Sequence, residues 1–250
     1  MSHLKRLSEK TDNIPRRHTM FIRKSLMQSS RYACARSFAQ LNKIIVVASG
    51  CTDNTPKIVK EFCSYDDRIA LITEKERKGK VSALNIILRE ATRASDLLVL
   101  VNADNIPSPN NLNKLVELFR DKSVGAVGSR PVPVNASQNV PSLIARLIWD
   151  LHHRVSMYKS VKLSGELCAI RPWLVKEMPI NLATDEPYME AFIRNQGYKI
   201  IYAPDVITYM KGPNGFRELL KQRRRIWTGH LQIKKMTGFS VSTSDPKYTL

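Results

Sequence analysis

The chain has 250 residues, room for one sizeable core or one core with a small appended subdomain, and its 43% hydrophobic and 25% charged residues are ordinary for a folded protein. Its net charge of +18 is not ordinary and points to an anionic partner: nucleic acid, an acidic membrane surface or phosphorylated substrates. Four widely spaced cysteines without a Cys-x-x-Cys pair argue against a disulfide framework or a zinc site and for a reducing compartment. No apolar run approaches the roughly 18 residues that span a bilayer, and the basic N-terminus lacks the apolar core of a secretory signal.

Residues 1–40 are basic and weakly patterned; between Met20 and Met27, Phe21, Ile22 and Leu26 suggest a short helical face. From Lys43 the pattern is clear. Ile44 to Val47 reads as a strand ending in a Ser49-Gly50 turn, and Thr52-Asp53-Asn54-Thr55-Pro56 as the start of a helix running to about Cys63. Ile69 to Thr73 is a second strand and Lys78 to Thr92 a second helix. Leu97 to Val101 is a run of five apolar residues, suited to a strand buried on both faces, and Asn111 to Arg120 is a helix. Val124 to Ser129 is the fourth strand of an alternation that predicts a mostly parallel α/β sheet with helices on both faces.

Beyond Pro133 the alternation loosens. Ser142 to Tyr158 reads as a long amphipathic helix with Ile144, Leu147, Ile148 and Leu151 inward, and Leu163 to Ile170 as a strand around Gly165. Asp185 to Asn195 is a helix opening with acids, as the helix dipole favours; Lys199 to Tyr202 is a strand; Phe216 to Lys235 is a very basic helix. The divisions are a basic N-terminal segment (1–40), one α/β domain (41–240) and a short tail (241–250).

The most informative stretch is Leu97 to Asn105, where the apolar run ends abruptly in Asn102-Ala103-Asp104-Asn105. Parallel α/β sheets bind ligands outside the carboxyl ends of their strands, so Asp104 is placed to grip a metal ion carrying a diphosphate. As a local sequence it serves equally well as a turn before Ile106-Pro107. Three further stretches accompany it: Val47 to Thr55; Lys78-Gly79-Lys80 before Ala83-Leu84-Asn85; and Ala183-Thr184-Asp185-Glu186, followed by Gly197 to Ile200 and then Gln222-Arg223-Arg224-Arg225-Ile226-Trp227.

In this order and spacing the chain resembles the family 2 glycosyltransferases of the GT-A fold over roughly residues 42–232. The resemblance implies an inverting, metal-assisted transferase. It would move a sugar from a UDP- or GDP-sugar to a hydroxyl or phosphate acceptor, a lipid phosphate or a glycan. The family's Asp-x-Asp looks like Asn102-Ala103-Asp104, leaving Asp104 as the Mg2+ or Mn2+ ligand while Asn102 keeps hydrogen-bonding capacity without charge. Its acidic pair looks like Asp185-Glu186, with Glu186 as the base by position and helix capping as the alternative role. Its Gln-x-x-Arg-Trp looks like Gln222, Arg223, Arg225 and Trp227, with Ile226 inserted; a solvated basic face is the alternative for the arginines. Lys80 would add charge at the diphosphate, and Asp53 matches a turn whose likeliest job is to cap the first helix. Gly165-Glu166 is assigned to the acceptor side, His230 to the phosphates, and His152-His153 to a helix-surface or interfacial role rather than to zinc.

The departures are also specific. Ala48 and Ser49 stand where the family often has an acid for the nucleotide base, and Ile14 to Thr19 is a degraded trace of the family's opening strand motif. A transferase at the cytoplasmic membrane face, drawn to anionic lipid, is the leading reading. A transferase-like binding module without activity is the second, favoured by Asn102 and the missing first strand. A basic nucleic-acid-binding protein is third, with low aromatic content and no recognised motif against it, so no specific nucleic-acid partner is expected.

Overall fold

The computed structural model describes residues 18–23, for their backbone alone, and 41–102, 104–108, 111–135, 139–158 and 162–241. Along the chain run β1 (His18–Arg23), β2 (Leu41–Ser49), α1 (Thr55–Cys63), β3 (Ile69–Glu74), α2 (Lys80–Ala94), β4 (Leu97–Val101) and β5 (Ile106–Pro107). There follow α3 (Asn111–Glu117), β6 (Val124–Pro133), α4 (Val140–Tyr158), β7 (Leu167–Ile170), α5 (Glu186–Asn195), β8 (Lys199–Met210) and α6 (Phe216–Thr237). The strands form one sheet in the order β3-β2-β1-β4-β7-β6-β8-β5.

One expectation is corrected here. The segment expected as a short helical face is instead the strand β1, parallel to both β2 and β4, so the apparently missing first strand is in place; Leu26 and residues 8–17 lie outside the described residues. The sheet keeps the expected parallel majority, in four of its seven pairings, while β7 runs antiparallel to β4 and β6, and β5 antiparallel to β8.

Strand alternation divides the core into two layers. Ile45, Val47, Leu98 and Leu100 meet α2 and α5 on one face; Ile44, Val46, Leu97, Val99 and Val101 meet α3 and Phe119 on the other. All five residues of β4 are buried, as its composition requires. In α4 the inward residues are the small Ser142, Ala145 and Ser156, whereas Leu147 and Leu151, expected inward, are exposed. The same helix exposes Leu143 and Met157, and α6 exposes Leu220, Trp227 and Leu231 among its arginines and lysines. No helix among the described residues is long and apolar enough to cross a membrane.

Candidate functional site

The parallel half of the sheet delivers β2, β4 and the start of α2 to one edge, and the antiparallel β7 begins at that same edge. Register pairs Val101 with Leu167, so the residue before β7 faces the residue after β4. Glu166 is thereby set against Asn102: Asn102 Nδ2 donates to Glu166 Oε2 at 3.0 Å, and Asn105 Nδ2 donates to the same oxygen at 2.6 Å and to the Glu166 carbonyl at 2.8 Å. Burial pushes the Glu166 carboxyl up, against the lowering effect of these two amides.

Gly79, in a left-handed conformation (φ +91°), precedes α2 and places Lys80 at its first position. Lys80 Nζ lies 2.8 Å from Asp185 Oδ1 and 3.3 Å from Glu186 Oε1, at the opening of α5. Burial alone would lower the Lys80 ammonium, yet the charges of Asp185 and Glu186 outweigh it and hold the group above its ordinary value. The acids divide. Burial, then repulsion from Glu186, raises Asp185; burial also works against Glu186, but Lys80, a backbone hydrogen bond and Lys162 together hold it below the ordinary carboxylate range. Glu186 is therefore ionised at neutral pH.

Gly165 makes this arrangement possible. A Cβ there would overlap the carboxyl group of Glu186, so any side chain at 165 would displace it. On the other flank, a Cβ at Gly229 would overlap Thr184, which lets α6 pack close to the acids. Gln232 fixes that packing by accepting from Ala183 N at 2.9 Å and donating to the Asn181 carbonyl at 3.2 Å.

Two cavities meet at Glu186. One, of about 750 Å³, is lined by Asp53, Arg77, Lys80, Asn102, Asp104 and Glu166 and by Lys211, Lys221, Gln222 and Arg225 of the far wall. The other, of about 80 Å³, lies between α4, α5 and α6; Glu166, Glu186, Gln222 and Arg225 border both. Most of the residues singled out from sequence thus converge. Asp104 is exposed at the mouth of the larger cavity, and Asp185 is buried beneath it against Lys80.

Others are placed differently. Arg223 lines the smaller cavity instead of the larger. Trp227 is 60% exposed and lines neither, because Gln222, Ile226 and His230 share the inward face at four-residue spacing and Trp227 is turned away from it. The N-cap of α1 is Asn54, without a side-chain cap bond; the Asp53 carboxylate accepts from Thr55 N at 3.1 Å. Ser49, where the family often has an acid, accepts from Lys78 N at 3.3 Å, and Gly50 (φ +52°) lies so close to Arg77 that a Cβ would overlap its backbone. These contacts draw the 49–53 turn and the 77–80 turn together. Asn85 is a buried clamp: its amide donates to the Met178 carbonyl and accepts from Met178 N. His153 Nδ1 lies 2.8 Å from the Tyr202 hydroxyl, and His152 lines the smaller cavity. The partnership of Glu166 with Asn102, and the roles of Arg77 and Lys162, carry no sequence signal of their own.

Among the described residues no group of three or more acidic, histidine or cysteine side chains is arranged to hold a metal ion. The donors near Asp104 are nonetheless hard oxygens, those of Asp104, Glu166 and the Asn102 amide carbonyl. One or two carboxylates completed by substrate phosphates are the usual holding for Mg2+.

Comparison with known proteins agrees with this geometry. A family model described as glycosyltransferase like family 2 matches residues 17–229. The chain is similar to a probable glycosyltransferase, YdaM, of Bacillus subtilis, 28% identical over 207 residues that cover 76% of this chain and 48% of that protein. It is also similar to the poly-beta-1,6-N-acetyl-D-glucosamine synthase of Staphylococcus aureus, 25% identical over 208 residues covering 80% and 50%. The chain therefore spans about half the length of the curated relatives it matches. Among solved structures, the mannosyltransferase PcManGT of Pyrobaculum calidifontis, in complex with GDP-Man and Mn2+, shares the fold with a TM-score of 0.70 at 24% identity, over 90% of this chain and 66% of that one. Glucosyl-3-phosphoglycerate synthase of Mycobacterium tuberculosis does so with a TM-score of 0.54 at 18% identity, over 90% and 81%.

Proposed function

The chain belongs to glycosyltransferase family 2 and has the GT-A fold, and from that premise we propose that it transfers a sugar from a nucleotide-sugar donor to an acceptor hydroxyl with inversion, using Glu186 as the base. The observation that carries the reading is the position of Glu186: an ionised carboxylate, held by Lys80, at the junction of two cavities.

In this reading the larger cavity takes the donor. Arg77, Lys80 and Arg225 neutralise the diphosphate as it leaves with the bonding electrons of the anomeric carbon. The acceptor hydroxyl approaches from the opposite side and gives its proton to Glu186 as its oxygen bonds that carbon. Asp185 carries no proton in this scheme; it holds Lys80, and Lys80 holds Glu186. A divalent ion such as Mg2+ or Mn2+, held by Asp104 with Asn102 and Glu166 beside it, would supply further positive charge to the leaving diphosphate. The donor reading is tested by calorimetry with UDP and GDP. One of them binds, Mn2+ tightens it, and Asn102→Asp strengthens the Mn2+-dependent part by about 3–10-fold through the added ligand charge. No binding of either nucleotide would sink the reading.

The acceptor belongs on the side of the smaller cavity. The exposed apolar residues of α4 and α6, set among basic ones, support association with an anionic membrane surface. The chain sediments with vesicles containing anionic phospholipid and is released by salt; equal binding to neutral vesicles would remove the electrostatic basis of this reading.

A further inference from the structure

The smaller cavity has unmet hydrogen-bonding capacity. Among the described residues seven buried side-chain polar atoms lack a hydrogen-bond partner, and four of them belong to residues lining this cavity: His152 Nδ1, Ser164 Oγ, Thr184 Oγ1 and Arg223 Nε. Ser164 is 4% exposed and Thr184 8%. Buried polar groups in folded proteins are satisfied almost without exception, by protein, water or ligand, so four orphans around one cavity mark a place for a partner.

Cations outnumber carboxylates there: Lys162, Arg223 and Arg225 line the cavity with Glu166 and Glu186. Lys162 Nζ lies against His230 Nε2 at 3.3 Å, a partner that offers no negative charge. The carboxylates nearby are committed elsewhere: Glu186 to Lys80, Glu166 to Asn102 and Asn105, and Glu190 to Arg194 at 3.0 Å and to Leu163 N at 3.1 Å. Burial and the charge of Lys162 hold both His152 and His230 at about 4, so the imidazoles are neutral. Burial lowers Lys162, against the pull of Glu186 and Glu190, and burial with the charge of Arg225 lowers Arg223.

The cavity, at about 80 Å³, takes several waters or one compact polyatomic group at roughly 10–15 Å³ per water, and is too small for a sugar ring beside it. Its donors come from α4, the segment before β7, the start of α5 and the face of α6, and so surround the space instead of lying in one plane. That suits a tetrahedral oxyanion better than a planar carboxylate.

We infer that this cavity is a phosphoryl-binding subsite for the acceptor, held by Lys162, Arg223, Ser164 and Thr184, which presents the acceptor's hydroxyl to Glu186. The inference rests on the transferase reading for the word acceptor, but the anion site stands on its own geometry.

Inorganic phosphate is the probe, titrated into the full chain by calorimetry. Phosphate binds, Lys162→Met and Arg223→Gln each weaken it at least about tenfold, and Arg77→Met on the donor side changes it less than about twofold. Thr184→Val, a near-isosteric change, gives a smaller loss and serves if Lys162→Met does not fold by circular dichroism. Sulfate competes and acetate does not. No phosphate binding, loss in Arg77→Met with Lys162→Met unchanged, or acetate binding as well as phosphate would each overturn the subsite. UDP and GDP binding in the same samples separates the two readings. Phosphate binding without nucleotide binding counts against the transferase alone, and nucleotide binding without phosphate binding counts against the subsite alone.

Discussion

Glu186→Gln lowers nucleotide-sugar turnover by about 10³-fold, within the usual range for removing a general base, while leaving nucleoside diphosphate affinity close to wild type. The amide fills the same volume beside Gly165 and still reaches Lys80, so neither packing nor the donor cavity changes. What disappears is the only proton acceptor proposed at the junction of the two cavities. The pH profile carries a second signature. Lys80 and Lys162 hold Glu186 below the ordinary carboxylate range, so the wild-type rate is level through neutral pH. It falls only as pH drops through that lowered value, in the acid range below the ordinary carboxylate. A variant as active as wild type would transfer the role to another group and remove the basis for reading the site as a base between donor and acceptor.

Lys80→Met is expected to cost about 2–3 kcal/mol of stability and to abolish turnover. Removing one partner of a buried ion pair typically costs about 3–5 kcal/mol because the other charge is stranded. The lower figure applies here because Lys80 keeps 24% of its side chain exposed. Two stranded acids, Asp185 and Glu186, are adjacent and buried, so they repel each other once the ammonium is gone. The sign of the pH dependence follows. In wild type Glu186 is depressed, and its stabilising contribution is present above the unfolded carboxylate value and lost as pH falls through its folded value. Lys80 is raised, and its contribution is present below its unfolded value and lost only at strongly alkaline pH. Without Lys80 both acids move up and take protons on folding. The variant therefore regains stability relative to wild type as pH is lowered from 8 towards 5. At pH 8 its Tm falls by about 5–10 °C, from about 2–4 °C per kcal/mol for a chain of this size. A Tm that fell equally at both pH values would assign Lys80 to packing alone.

Much of the fold was legible because local pattern and tertiary structure agree. Leu97–Val101 has the bounds its five apolar residues suggest, and β2, β3, α1 and α2 start and end within a few residues of their signals. β1 was not legible. Met20, Phe21 and Ile22 lie between basic residues, and three apolar residues in a row fit a helical turn as well as a strand; only pairing with β2 and β4 decides. Leu147 and Leu151 misled because α4 turns small residues inward, where size and not hydrophobicity governs the contact.

At the site, motif order brought out Lys80, Asn102, Asp104, Asp185, Glu186 and Gln222, all of which line the two cavities or support their walls. The link between Glu166 and Asn102 spans 64 positions and exists only because β7 runs antiparallel to β4. It places a carboxylate beside the position where the family's first acid has become Asn102. That softens the case for an inactive module, as does the presence of β1. Trp227 fell off the site by one residue of helical phase, with Ile226 taking the inward position.

The stereochemistry of donor turnover tests the central claim most directly, since it needs no knowledge of the acceptor. An α-linked nucleotide sugar is hydrolysed slowly by the chain, and the anomeric proton of the released sugar is followed by NMR before mutarotation. Attack on the face opposite the diphosphate, steered by Glu186, yields the β-anomer first. Initial release of the α-anomer, or β-anomer release undiminished in Glu186→Gln, would contradict it.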